Sequence, residues 1–334
     1  MMTSRQRVLE ALNHKQPDRL PIFVTLTPQV AAKLSKALNL PYEEPLDSLL
    51  STRISHTRLL THLGNDCVGI ATCVPAIKPT YTDESLPPAN AETEADIQTY
   101  SFIQAGDPTR ISSALQTIKD YGKDYAVVAD IETTLLSGLE NDQIGMMLKP
   151  GYLNHFLDKM MEVNLLAGKE LIKAGADMIW AGDDFGSQSS MIMDSNFWRM
   201  IFKPRIKYMF EEFRKVKPDI KIAWYTCGSI LPVIPDFIEM GLNVLNPLQP
   251  MASLMDPLFL KNEYGKYLSF FGAISVHDLF TSKTPNEIKT EVKRRAKILG
   301  RNGGYIISPV HNIPDDCPVE NILAFFEAVK ELSD

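Results

Sequence analysis

The chain has 334 residues, 45% of them hydrophobic and 22% charged, with a formal net charge of −7. That is ordinary globular composition, long enough to bury a sizeable core without crosslinks. The acidic balance and the absence of any Lys/Arg block argue against a nucleic-acid surface.

Four cysteines (Cys67, Cys73, Cys227 and Cys317) are too few for a disulfide framework in a chain of this size. The opening residues are charged from Arg5 onward and offer no apolar secretory segment. No run approaches the roughly 18 apolar residues that a spanning helix needs. The expected compartment is the cytoplasm, with no membrane and no nucleic acid as partner.

Arg5–Asn13 fits an amphipathic helix with Ser4 as its N-cap, ended by Pro17 and Pro21. Pro21–Leu26 then reads as a buried strand. Further strands are expected at Asp66–Ile70, Tyr125–Ile131, Ala176–Ala181, Ile220–Tyr225, Asn243–Asn246, Leu268–Ala273 and Gly304–Ser308. Helical periodicity lies between them at Leu153–Ala174, Ser195–Val216, Pro232–Met240 and Pro285–Leu299. Residues 75–108 are rich in Pro, Glu, Asp and Thr and read as an excursion, a hairpin or lid near the mouth. Eight strands alternating with helices predict a single-domain α/β protein of (β/α)8 TIM-barrel architecture. No Gly-x-Gly-x-x-Gly or Gly-x-x-x-x-Gly-Lys follows any strand, which removes the commonest reasons to choose a dinucleotide or P-loop fold.

Barrels carry their chemistry at the carboxyl ends of the strands. Four such ends hold reactive residue types: Gly182-Asp-Asp-Phe-Gly186, Tyr225-Thr-Cys-Gly-Ser229, Asn246-Pro-Leu-Gln249 and Pro309-Val-His-Asn312. The paired acids sit between glycines, as a close backbone–ligand approach requires, although Gly-Asp-Asp is also ordinary turn chemistry. Adjacent residues leaving a strand point to opposite sides. Asp183 is assigned the ligand-facing side and a catalytic role; Asp184 is assigned a structural or substrate-binding one. Cys227 is either a metal-ligating thiolate or a packed small hydrophobe. His311 is a ligand, a general acid or base, or a histidine held in the core. Asn246, Gln249 and Asn312 complete the candidate substrate-binding set. Cys67, Cys73, Cys317 and the remaining histidines read as packing or surface residues, with His277 near enough to a strand end to stay an outside candidate.

These segments together resemble the uroporphyrinogen decarboxylase superfamily, and more closely its corrinoid-dependent methyltransferase branch. The resemblance runs from Arg7-Val-Leu-Glu-Ala-Leu-Asn-His-Lys-Gln-Pro-Asp-Arg-Leu-Pro21 through Gly182–Gly186, Phe197–Arg205, Cys227-Gly-Ser229 and Asn246–Gln249. It continues to Pro309–Ile313 and Pro318-Val-Glu-Asn321. It implies a (β/α)8 barrel, in agreement with the strand count.

The decarboxylase itself carries an arginine-rich segment after the first strand to bind propionate carboxylates. Here that place reads Thr25-Leu-Thr-Pro-Gln-Val-Ala-Ala32, without arginine, which argues against decarboxylation. In the methyltransferase branch a His-x-Cys and a residue on the last strand hold zinc. Those positions map onto Tyr225, Cys227 and His311, with a tyrosine in place of the usual histidine, so zinc at Cys227 and His311 is expected only if a further donor such as Asp183 joins them.

The activity implied is methyl transfer between a small methylated donor, such as a methoxylated aromatic, and the cobalamin of a partner corrinoid protein, with Asp183, Tyr225 and His311 catalytic. The alternatives are transfer from a methyl-corrinoid to a thiol, a decarboxylase, and a non-catalytic partner-binding barrel.

Overall fold

The computed structural model describes residues 2–46, 50–72, 108–131 and 150–333. The segment expected to form an excursion lies outside the described residues except for Pro108, which opens a 3-10 turn over Pro108–Ile111. Cys73 also lies outside them.

Among the described residues seven parallel strands run in sequential order: β1 (Cys67–Ile70), β2 (Ala126–Asp130), β3 (Met178–Gly182), β4 (Lys221–Tyr225), β5 (Val244–Leu248), β6 (Ser269–Ile274) and β7 (Tyr305–Pro309). The described helices, in chain order, begin with α1 (Ser4–Leu12), α2 (Pro28–Ala37), α3 (Ser51–Ile54) and α4 (Thr57–Leu63). Next come α5 (Ser112–Tyr121), α6 (Pro150–Ala174), α7 (Ser195–Ile201) and α8 (Lys203–Val216). The last are α9 (Ile234–Glu239), α10 (Pro257–Tyr264), α11 (Pro285–Leu299) and α12 (Val319–Lys330).

The sheet curls into a TIM-barrel-like array. One apolar cluster fills the layer that includes the helices, and a second contains Phe23, Met178, Trp180, Ala223, Val244, Phe271 and Ile306, joined by Val8 and Leu12 of α1. The strand members of the second cluster recur at alternate positions, as one face of a pleated sheet requires.

The eighth strand departs from expectation. Pro21–Leu26 forms no regular strand; Ile22 makes an isolated parallel bridge to Ile307 and Leu26 another to Ile313. Seven regular strands therefore leave the ring incompletely closed. The physical reason lies on the β1 side, where side chains stand in for part of the ladder. The Ile22 amide donates to the Asp66 carboxylate (2.9 Å), the Val24 amide to Asn65 Oδ1 (3.0 Å), and Asn65 Nδ2 returns a bond to the Val24 carbonyl (2.8 Å). Pro21 has no amide to offer.

Asp66, fully buried, also takes Arg7 (2.6 Å) and Arg19 (2.7 Å). One carboxylate thus joins α1, the Pro21–Leu26 segment and the start of β1.

Two helix boundaries also differ. Thr3, rather than Ser4, caps α1, with Gln6 closing a capping box. The expected helix Ser195–Val216 is split at Phe202, because Pro204 has no amide to continue the ladder. Among the described residues no helix is long and apolar enough to cross a membrane.

Removing one member of a buried ion cluster strands its partners, which costs about 3–5 kcal/mol. Asp66→Ala is expected to lose stability of that order in urea unfolding. A loss under about 1 kcal/mol would show that the seam is held by other contacts.

Candidate active site

The ends of β3, β4 and β5 interlock backbone to backbone. Gly182 pairs in register with Tyr225, and a Cβ at Gly182 would stand 2.1 Å from the Tyr225 carbonyl oxygen. Only glycine lets the two strand ends approach this closely. The Asp183 amide donates to that carbonyl (2.9 Å), the Phe185 amide to Thr226 Oγ1 (3.0 Å), and the Ser229 amide to the Ser187 carbonyl (2.8 Å). Gly186 and Gly228 touch through their backbones, Gly228 with φ +79°. From β5, the Asn246 carbonyl accepts from the Thr226 amide (2.6 Å) and Gln249 Oε1 from the Gly228 amide (2.8 Å).

The two acids occupy opposite sides, as strand alternation predicts, with Asp184 turned to a backbone amide. Asp183 is buried, whereas Asp184 is exposed and accepts the Cys227 amide at 2.7 Å. The cause is strand alternation: Met178 and Trp180 face inward, and Asp184 continues their period through Gly182.

Tyr225, two residues before Cys227, places its hydroxyl 3.0 Å from the Cys227 sulfur. Burial, then the neighbouring Cys227 and Asp184, raise the phenol well above its ordinary value of 10, with Arg53 offsetting only part. The Cys227 thiol is pushed up to about 12, first by burial and then by the Asp184 carboxylate. Both groups are therefore protonated at neutral pH.

A zinc thiolate must lose its proton, and here Cys227 commits its sulfur to the Tyr225 hydroxyl. Among the described residues no three His, Cys, Asp or Glu side chains gather closely enough to hold a metal ion. Tyr225, Cys227 and His311 thus do not fit the expected zinc set.

Beside Tyr225 lies a cavity of about 30 Å³ lined by Thr25, Arg53, Trp180, Asn246, Phe271 and Ser308, with His311 and Asn312 on the β7 side. Phe23, Trp180 and Phe271 pack with ring centroids 5.4–5.6 Å apart. Trp180 Nε1 donates to Asn246 Oδ1 (3.0 Å), and Asn246 Nδ2 donates to the Phe271 carbonyl (3.3 Å). Asn246 therefore orients the tryptophan as well as lining the cavity. Asn312 is tied down similarly, accepting from Thr25 Oγ1 (2.5 Å) and donating to Thr52 Oγ1 (3.3 Å). His311 is exposed at the rim.

Sequence reasoning did not find Arg53, Trp180 or Asp130. Arg53 lies on α3, whose backbone rests against β1 where Gly69 has no side chain; a Cβ there would meet the Arg53 carbonyl at 2.1 Å. Its guanidinium sits 4.5 Å from the Trp180 ring centroid and 5.0 Å from that of Tyr225. It pairs with Asp130 at 3.1 Å, whose carboxyl is raised by burial against the opposing pull of Arg53. The period-two alternation that marks Gly182 and Tyr225 would have pointed to Trp180; a four-residue helix has too few turns to mark Arg53.

The family model for uroporphyrinogen decarboxylase (URO-D) matches residues 138–332, more than half of the chain and most of this site. The chain belongs to the uroporphyrinogen decarboxylase family. Curated relatives named uroporphyrinogen decarboxylase include those of Trichormus variabilis, 22% identical over 185 residues, and Trichodesmium erythraeum, 25% over 187. Each match covers 55% of this chain and 49% of the relative, so the chain spans about half the length of the curated URO-D proteins it matches. Among solved structures, a methyltransferase from Methanosarcina mazei superposes with a TM-score of 0.71 at 19% identity, covering 99% of both chains. The fold is thus shared with that structure over nearly the whole chain, and the family model accounts for its C-terminal part.

Two outcomes test the site. Cys227 is expected to alkylate slowly with iodoacetamide at pH 8, because the thiolate is the reactive form. Asp184→Asn should speed it by removing the charge that raises the thiol; mass spectrometry of the Cys227 peptide reads both rates, and an unchanged rate would remove Asp184 from the group. Gly182→Ala should cost about 1–3 kcal/mol by overpacking, visible as a lower melting temperature.

Proposed function

We propose that this URO-D family chain is a methyltransferase that removes a methyl group from a small methoxylated donor, a methoxylated aromatic being the favoured class, and passes it to the cobalamin of a separate corrinoid protein. The observation that carries the reading is a phenol kept protonated at the edge of an aromatic-walled cavity: Tyr225 beside Trp180 and Phe271. The name of the Methanosarcina mazei structure points the same way.

Breaking a methyl–oxygen bond leaves the electron pair on oxygen, and the departing phenolate or alkoxide needs a proton. Tyr225 is the hydrogen-bond donor to that oxygen: the methyl group goes to the cobalt, the oxygen keeps the bonding electron pair, and solvent supplies its proton. Burial, Cys227 and the Asp184 charge make the Tyr225 phenolate unfavourable, so the hydroxyl holds its own proton and stays a donor throughout. The small cavity takes the methyl-bearing end of the donor, with Trp180 and Phe271 as apolar walls and His311 and Asn312 at the rim. Buried Asp183 ties the β3 end to β4 through its main-chain amide, which donates to the Tyr225 carbonyl. The chain is read as a single cytoplasmic barrel domain, with Pro21–Leu26 bridging to β7 on its open side.

Decarboxylation of a polyanionic tetrapyrrole is disfavoured. Thr25 lines the cavity where arginines would be needed, and the Arg53 charge is already matched by Asp130. Transfer to a thiol substrate is also disfavoured, since it relies on zinc to lower the thiol pKa and the donor set does not fit.

The test is to incubate the enzyme with reduced corrinoid protein and a panel of methoxylated and methylthio compounds, following cobalt methylation by visible absorbance. Tyr225→Phe is expected to lower the rate by roughly 10²–10³-fold with the melting temperature unchanged. A variant as fast as the wild type would remove Tyr225 as the donor to the leaving oxygen. No cobalt methylation from any donor would sink the reading itself.

A further inference from the structure

A second cavity, of about 520 Å³, opens on the face opposite the site, lined by His14, Lys261, Asn262, Gly265, Lys266, Arg301 and Asn302. The topology fixes its place. His14 follows α1, Gly265 and Lys266 lie between α10 and β6, and Arg301 and Asn302 lie between α11 and β7. All of these precede strand starts, whereas Tyr225 and His311 follow strand ends. Its volume falls in the range of small-molecule pockets.

The charge here runs against that of the whole chain. In a protein of net charge −7, this cavity is lined by three cations and a histidine and by no carboxylate. Among the described residues the three cations are held by neutral groups. Lys261 donates to the Gly303 carbonyl (2.7 Å), Arg301 to Asn262 Oδ1 (3.3 Å), and Lys266 lies 4.6 Å from the Tyr267 ring centroid. Lys221 stands behind, bonded to Asn13 Oδ1 at 2.7 Å. Glu263, exposed on α10 and outside the lining, is close enough to Lys266 to raise its ammonium, after the larger effect of Tyr267.

We propose that this cavity binds a small phosphate-bearing molecule, a phosphate monoester or pyrophosphate, through Lys261, Lys266 and Arg301. Three cations with only Glu263 near one of them leave a positive excess that favours a ligand carrying at least two negative charges over a single carboxylate. A planar guanidinium beside two ammonium groups matches phosphate oxygens in number and geometry. Asn262 and Asn302 add amide donors. Burial and the nearby Arg301 bring the Lys261 ammonium down to about 8, so its charged form is under electrostatic load that a bound anion relieves. The inference is independent of the methyl-transfer reading.

Calorimetric titration of the full chain at pH 7 and low salt, with inorganic pyrophosphate and separately with inorganic phosphate, tests it. Saturable binding is expected, with pyrophosphate the tighter. A Lys266→Gln/Arg301→Gln variant, changed at two exposed positions, should bind about tenfold more weakly or worse with an unchanged melting temperature. Tyr225→Phe should bind as the wild type does. No uptake of pyrophosphate at millimolar concentration, equal binding by the double variant, or loss of binding in Tyr225→Phe would each overturn the assignment.

Discussion

The structure depends on one buried carboxylate. Asp66 stands where the sheet lacks a regular eighth strand, and it holds two guanidinium groups and a backbone amide at once. Without a partner its burial would be prohibitive; with three, the charge becomes the fastening between α1, the Pro21–Leu26 segment and β1. The inner cluster packs against this fastening, since Phe23, two residues beyond Pro21, joins Trp180 and Phe271. The aromatic wall of the cavity is thus positioned by an ion cluster at the other end of the strands.

Above that wall the chemistry is arranged by backbone contacts more than by side chains. Gly182, Gly186 and Gly228 bring the β3 and β4 ends into contact, and the amides freed by the turns are taken up by Asp184, Thr226 and Gln249. Tyr225 and Cys227 then have little choice of position, and burial keeps both in their neutral forms. A neutral hydroxyl and a neutral thiol, bonded to each other, form a single hydrogen-bonding unit at the end of β4.

Most strands were legible because each is an apolar run of β-forming residues bounded by turn residues; Tyr305–Pro309 and Ala126–Asp130 are clear cases. Pro21–Leu26 reads the same way in sequence, yet its β1-side partners include the side chains of Asn65 and Asp66, which no periodicity reveals. Candidate residues at strand ends were legible wherever the strand itself was, which brought Tyr225, Cys227, Asn246, Gln249 and His311 into view. Strand alternation made it legible that Asp183 and Asp184 part to opposite sides with one on backbone amides; that Asp183 is the buried one follows from the inward face of Met178 and Trp180. Arg53 was out of reach: its place in the cavity is set by α3 lying on Gly69, a contact across 16 residues of chain.

The contact between Gly186 and Gly228 also bears on how such a protein can be altered. With a Cβ at either position meeting the opposing backbone at 2.4–2.6 Å, neither loop accommodates a side chain there unless the other moves. The loops after β3 and β4 are therefore sterically coupled, and grafting one of them from another protein calls for grafting the other with it. Among the described residues the β7 rim, where His311 is exposed, shows no comparable glycine contact with them, so substitutions there are expected to be absorbed without rebuilding the paired loops.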